Sequence, residues 1–214
     1  MALNIYNVLN QLFSQKRLFT SEADFQFALA WEIKTMYPNA QVNLEYRYPG
    51  NLKNNGRDSY IDIVIEEEGE VILIELKYKT KGYNGTCNGR KYNLKDQSAQ
   101  DCARYDFWKD VERLEHFISN NTQGAKRGYA IFLTNDSLYW NPSNRSTIDQ
   151  FFRIHDGRKN VTGVLNWCGN PAPGTTKGRS NPIKINGNYS IKWNQYILNP
   201  ANPPLEFKYM VLDI

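Results

Sequence analysis

The chain has 214 residues, of which 41% are hydrophobic and 14% aromatic, enough to bury a full core as one domain spanning 1–214. With 22% charged residues, a mean hydropathy of −0.64 and no long apolar run, it excludes a membrane-spanning helix, a coiled coil and a repeat array. The net charge of +4 is small, so any preference for an anionic partner has to come from how the charge is distributed.

Residues 3–16 place Ile5, Val8, Leu9, Leu12 and Phe13 at helical spacing. A second helix is expected from Ser21, with Asp24 completing a capping box, and stops before Pro38. Its inward stripe reads Phe25, Ala28, Leu29, Ile33 and Met36, with Glu22 on the same side at the first turn. Val42, Leu44, Tyr46 and Tyr48 alternate as a first strand. Two further strands fill residues 60–80. Residues 79–95 are free of acid, rich in Gly and Asn and without an apolar period, and read as a mobile loop at the mouth of a cleft. A third helix opens near Asp96 and runs to about Ser119, with Cys102, Trp108, Val111, Leu114 and Ile118 as core positions. Its polar set Asp101, Arg104, Asp106, Asp110 and Arg113 reads as a charged outer face with intrahelical pairs. Residues 129–134 form a short apolar strand.

Beyond Asp136, Pro, Gly and Asn accumulate. A short helix is expected at 146–152, a final strand at 205–212, and a hairpin turning on Asn186-Gly187 between strands at 183–185 and 189–193. Residues 137–214 are therefore expected to be a basic, β-rich extension of the same domain. Cys87, Cys102 and Cys168 are odd in number and far apart, which suggests a reducing compartment and no zinc site. The start, MALNIYNVLNQLF, lacks a basic n-region and a cleavage site. A cytoplasmic location is the expectation.

The segment 60–80, YIDIVIEEEGEVILIELKYKT, carries the chemistry. It alternates as two apolar strands around an acidic turn at Gly69. If Glu68 and Gly69 are the loop, Glu67 pairs with Glu70, and the same register sets Asp62 opposite Glu75, with Lys77 two residues on along that face. Two carboxylates and a lysine are costly to bury on an apolar face without a further partner. Glu-x-Lys also occurs at Glu32-Ile33-Lys34, in a helix where the two side chains diverge, and at Glu206-Phe207-Lys208, where no aspartate stands ahead. Only the middle copy has an opposed carboxylate.

Asp62, a hairpin and then Glu75-Leu76-Lys77 resembles the catalytic signature of the PD-(D/E)XK nuclease superfamily, with Ile61 where the proline would stand. The resemblance covers about 21–136. It implies an α/β restriction-endonuclease-like core: helix, three strands, helix, strand, as a mixed central sheet flanked by helices. It further implies an Mg²⁺- or Mn²⁺-dependent endonuclease acting on DNA, in restriction or defence, as a homodimer or with a partner subunit. Asp62, Glu75 and the Leu76 carbonyl would hold the metal and Lys77 would stabilise charge. Glu22 is either an additional catalytic carboxylate or an acid favoured by the helix dipole. Gln97 and Gln100 are candidates to contact phosphate. The other reading of the same fold is a non-catalytic module that binds nucleic acid or protein.

Two acid-free stretches supply candidate phosphate contacts. Lys79, Lys81, Arg90 and Lys91 lie in 79–95. Arg158, Lys159, Lys177 and Arg179 lie in 157–205, interleaved with Trp167, Tyr189, Trp193 and Tyr196.

Overall fold

The computed structural model describes residues 3–47, 60–120, 124–200 and 203–214. Helix α1 (Ile5–Ser14) starts where the Asn4 side chain accepts the amides of Tyr6 and Asn7, and buries Ile5, Val8, Leu9, Leu12 and Phe13. Helix α2 (Glu22–Met36) is capped by the Ser21 hydroxyl accepting Asp24 N–H. The Asp24 carboxylate turns to the Thr20 amide at 2.9 Å, so the reciprocal half of the expected capping box is made one residue earlier. Met36 is exposed at the end of the helix, while Gln26 and Glu32 are buried, so α2 buries a wider and more polar arc than its apolar stripe suggests.

Strands β1 (Gln41–Arg47), β2 (Tyr60–Glu67), β3 (Glu70–Lys79), β6 (Ala125–Thr134), β9 (Asn194–Asn199) and β10 (Leu205–Asp213) form one six-stranded sheet in the order β1-β2-β3-β6-β10-β9. Tyr48 lies outside the described residues. The β3–β6 pair is parallel, and the other pairs of this sheet are antiparallel. The fold is mixed α/β, a mixed central sheet flanked by helices. Side chains alternate across the sheet into two cores. Ile63, Ile72, Ile74, Ile131 and Phe207 pack with α1 and α2. Val64, Leu73, Phe132 and Met210 pack with Trp108, Val111 and Leu114 of α3 (Gln100–Ser119) on the other face.

The β2–β3 hairpin turns on Glu68 and Gly69, both with positive φ (50° and 80°), a conformation that matches the twist of the flanking strands. Its ladder runs from Glu67↔Glu70 to Ile63↔Ile74, the register read from the sequence.

Two expectations fail. Residues 79–95 are not a loop: β4 (Tyr83–Cys87) and β5 (Arg90–Leu94) pair as a hairpin around Asn88-Gly89. Tyr83, Cys87 and Leu94 enter the α1/α2 core, Asn88 donates to Lys16 O and Asn199 donates to Thr86 O. Polar residues on the outer face hide the sparse apolar set Tyr83, Cys87 and Leu94 in the sequence. Likewise Asn186-Gly187 makes no turn. β8 (Ile183–Tyr189) continues through it as a bulge, pairing Ile185 with Gly163 and Tyr189 with Val161 of β7 (Val161–Leu165). The Glu115 carboxylate accepts both of these consecutive amides, at 2.8 and 2.7 Å, which the bulge turns to the same side. Glycine is needed there because the Tyr189 ring lies 2.7 Å from where a Cβ would sit. The expected helix at 146–152 reduces to a 3-10 turn at Gln150–Phe152, and α4 (Pro173–Thr176) is a single turn.

Leu94→Ala removes a side chain that is 3% exposed in this core. It should cost about 2–4 kcal/mol in urea unfolding. A change near zero would return the segment to a solvent-facing loop.

Candidate functional site

Beyond Ile63 and Ile74 the β2–β3 ladder stops. The alternate amides of β3 that would have bonded β2 are instead taken by side chains. Leu76 N–H donates to Asp62 Oδ2 (2.6 Å), Tyr78 N–H to Glu22 Oε2 (2.7 Å) and Thr80 N–H to Gln97 Oε1 (2.9 Å). Three acceptors drawn from β2, α2 and the segment before α3 thus continue the edge of the ladder. On the opposite side of this gap Glu45, opposed to Asp62, has φ 48°, a costly backbone for a non-glycine residue. Gln26 Nε2 spans the irregularity, donating to Asp62 O at 2.7 Å and Glu45 Oε1 at 2.9 Å.

Helix α3 closes the cluster from the other face. Asp110 Oδ2 lies 2.9 Å from Lys77 Nζ, and its Oδ1 lies 2.8 Å from Arg113 Nη2. Arg113 reaches on to Glu75 Oε1 with Nε at 2.8 Å and Nη2 at 2.6 Å. Lys77, Asp110, Arg113 and Glu75 therefore form one continuous chain of opposite charges, where the sequence pattern alone places Asp110 and Arg113 on a solvated face. The signal for their burial lies in Ala103, Phe107, Asp110, Leu114 and Phe117, a fully buried helical stripe with one acid inside it. Two more of the polar set are engaged across elements: Arg104 pairs with Asp149, and Asp106 with Arg179.

Glu75 is 3% exposed and Asp62 half-buried. Burial pushes Asp62 up to about 6, against the Leu76 N–H bond, which lowers it, and with Asp110 adding to the rise. Burial also raises Glu75 well above the ordinary range. Arg113 opposes that rise, and Asp110 and Asp62 reinforce it. Lys77 moves the other way from most buried lysines. Burial depresses its ammonium, but Asp110, Glu22 and Asp62 more than offset this, so it stays protonated and acts as a fixed cation.

With every group ionised, Glu22, Asp62, Glu75 and Asp110 outnumber Lys77 and Arg113 by two charges. Among the described residues no three His, Cys, Asp or Glu side chains converge as a ready metal cage. Magnesium needs only one or two carboxylates and keeps its waters, and hard oxygen donors suit it. Asp62 and Glu75 each commit one oxygen to the bonds above, Oδ2 to Leu76 and Oε1 to Arg113. The donor set fits a divalent ion, whose charge would favour the ionised form of two carboxyls that burial otherwise holds back.

The remaining sequence candidates divide. Gln97 caps Thr80, Gln100 donates to Asp136 at 2.8 Å, Arg179 forms a two-pronged pair with Asp106, and Arg158 donates to the carbonyls of Arg153 and Phe151. Their polar groups are spent on the fold. Lys81, Arg90, Lys91, Lys159 and Lys177 are exposed, and Lys79 is half-buried at the end of β3. The interleaved aromatics belong to the core: Tyr189, Trp193 and Tyr196 are buried, and Trp167 stacks on Tyr105.

The folded Asp62 binds its proton more tightly than an unfolded aspartate. The resulting stability is complete below about pH 4 and lost as pH rises through about 6. Asp62→Asn keeps an oxygen for the Leu76 amide and removes the buried charge. At neutral pH it should raise unfolding stability by about 1–3 kcal/mol in urea titration. A loss of stability at that pH would show that the ionised form is favoured.

Neither the protein-family models nor the curated proteins compared with this chain match it, so the chemistry of the cluster rests on its own residues.

Proposed function

We propose that this chain is a metal-dependent nuclease that hydrolyses phosphodiester bonds in DNA, an endonuclease of the restriction or defence type on the PD-(D/E)XK plan. The observation that carries this reading is the charge cluster at the gap between β2 and β3. There Asp62 and Glu75, whose ionisation burial opposes, stand beside a lysine kept protonated, a setting in which a bound cation would favour both carboxylates. In this reading Asp62 and Glu75, with the Leu76 carbonyl, hold Mg²⁺ or Mn²⁺. The chemistry that such an ion supplies when bound is a water of lowered pKa and screening of the charge that develops on phosphate.

The chain's own residues do the rest. Lys77, fixed by Asp110, presents a positive charge to the reacting phosphoryl oxygens and cannot serve as a base. Asp62 is held in place by the Leu76 amide, and Gln26 anchors its backbone. Glu22 contributes its charge to the site while tying α2 to β3 through Tyr78 N–H. The exposed Lys81, Arg90, Lys91, Lys159 and Lys177 are the candidates for phosphate contacts outside the site.

One observation favours a second reading, a non-catalytic module on the same fold. Lys77 and Arg113 are each already paired, as in a purely structural network. Incubating the protein with plasmid and linear DNA in Mg²⁺, Mn²⁺ or EDTA separates the two. Cleavage that requires the metal supports the nuclease, and DNA binding with no cleavage in either metal supports the module.

Asp62→Ala, Glu75→Ala and Lys77→Ala should each lower the cleavage rate by a factor on the order of 10² or more while the protein stays folded. Wild-type rates in any two of them would end the assignment. For binding, replacing Lys159 and Lys177 together with Gln should make the slope of log affinity against log salt shallower, by about one for each phosphate left without its lysine. An unchanged slope would place the DNA elsewhere.

A further inference from the structure

A pocket of about 420 Å³ opens between the end of α1 and the middle of α2, on residues of α2 other than Glu22 and Gln26, which bond to the gap between β2 and β3. Leu12, Ala28 and Glu32 form its buried floor, Phe27 and Trp31 one wall, and Gln15 and Arg17 the rim. Phe27 and Trp31 are 60% and 66% exposed, with ring centroids 6.1 Å apart, in a chain that otherwise buries most of its large aromatics. Glu32 is 8% exposed, yet among the described residues its side chain meets one amide, Gln15 Nε2 at 3.3 Å, at the outer limit for a hydrogen bond. Arg17 does not neutralise it: its guanidinium is turned to Asp24 and lies over the Phe19 ring.

A sequestered carboxylate beside open aromatic faces selects its ligand by chemistry. An anion is repelled, and a purely apolar group would bury Glu32 without a partner, which is strongly unfavourable. An ammonium needs several acceptors to replace its hydration, and one carboxylate supplies too few. A guanidinium is planar, weakly hydrated, able to grip a carboxylate with two N–H groups and able to lie flat on an indole. We propose that this pocket binds a guanidinium group, carried by a protein arginine side chain or by a small guanidino compound, with Glu32 as its counter-charge and Trp31 and Phe27 as its stacking wall. The site is independent of the nuclease reading.

The test follows the Trp31 indole N–H signal by NMR, assigned through Trp31→Phe, during titration with n-propylguanidinium and with its neutral analogue n-propylurea. Saturable movement of that signal is expected, with the urea binding at least roughly tenfold more weakly and Glu32→Gln weakening the guanidinium by a similar factor. Equal binding of the urea, or an unchanged affinity in Glu32→Gln, would overturn the proposal. Should Glu32→Gln not fold, Trp31→Leu, an exposed substitution, must weaken the guanidinium severalfold by calorimetry, and full affinity there overturns it equally. Blocked N-acetyl-arginine-methylamide against free arginine then assigns the source. Preference for the blocked form marks a protein side chain and preference for the free amino acid a small molecule, and either upholds the site.

Discussion

The structure turns on the point where β2 and β3 part company. Past Ile74, β3 still presents every second amide to the side on which its pairing with β2 has ended, and each amide left dry and unbonded would cost about 1–3 kcal/mol. Asp62, Glu22 and Gln97 take those amides in turn. The same requirement that keeps the backbone satisfied draws two carboxylates from separate elements to one edge, and the acids are held by backbone geometry before any ligand is considered. Gln26 and the left-handed Glu45 belong to the same device, since they fill the irregularity that the departure of Asp62 from the ladder leaves in β1 and β2.

On the far face, α3 answers this concentration of acid with only part of the charge required. Arg113 meets Glu75 and Asp110 meets Lys77, so the two cations are shared along a line rather than matched one to one with the four acids. A low-dielectric setting makes such sharing strong but leaves the surplus expensive. Burial above all, with Asp110 adding to it, makes Asp62 and Glu75 resist ionisation, while the neighbouring acids keep Lys77 and Arg113 protonated against the effect of burial.

Much of this is legible in the residues. The β2–β3 register follows from period-two alternation and a glutamate-glycine turn, and the α1 stripe from its spacing, because both depend on local pattern alone. The partners from α3 are not, because Asp110 and Arg113 look like an ordinary surface pair until the helix is placed against the sheet. The two Asn-Gly dipeptides make the same point from opposite directions. Asn88-Gly89 turns a hairpin whose strands carry too few apolar residues to stand out, and Asn186-Gly187 stays within a strand, as a bulge, where a distant carboxylate, Glu115, binds its amides. Turn propensity is a local quantity, and a tertiary hydrogen bond is enough to override it. The acid-free stretches mislead for a related reason. Their arginines and aromatics look available along the chain, whereas Arg158, Arg179, Tyr189 and Trp193 are consumed by the fold.

The parallel pairing of β3 with β6 also sets an order of events during synthesis. The β2–β3 hairpin closes over a two-residue turn and can form as soon as it is made. Its other edge must wait while the β4–β5 hairpin and all of α3 are produced before β6 arrives to cover it, and β10, which covers the far edge of β6, follows later still. Non-local pairings of this kind are slow, because the intervening chain has to be closed before any contact rewards it. Until then the apolar run from Val71 to Ile74 offers an open edge to other nascent copies. The charged residues flanking that strand, Glu66, Glu67, Glu68 and Glu70 at its start and Lys77 and Lys79 at its end, are placed to act as gatekeepers against intermolecular pairing during that interval.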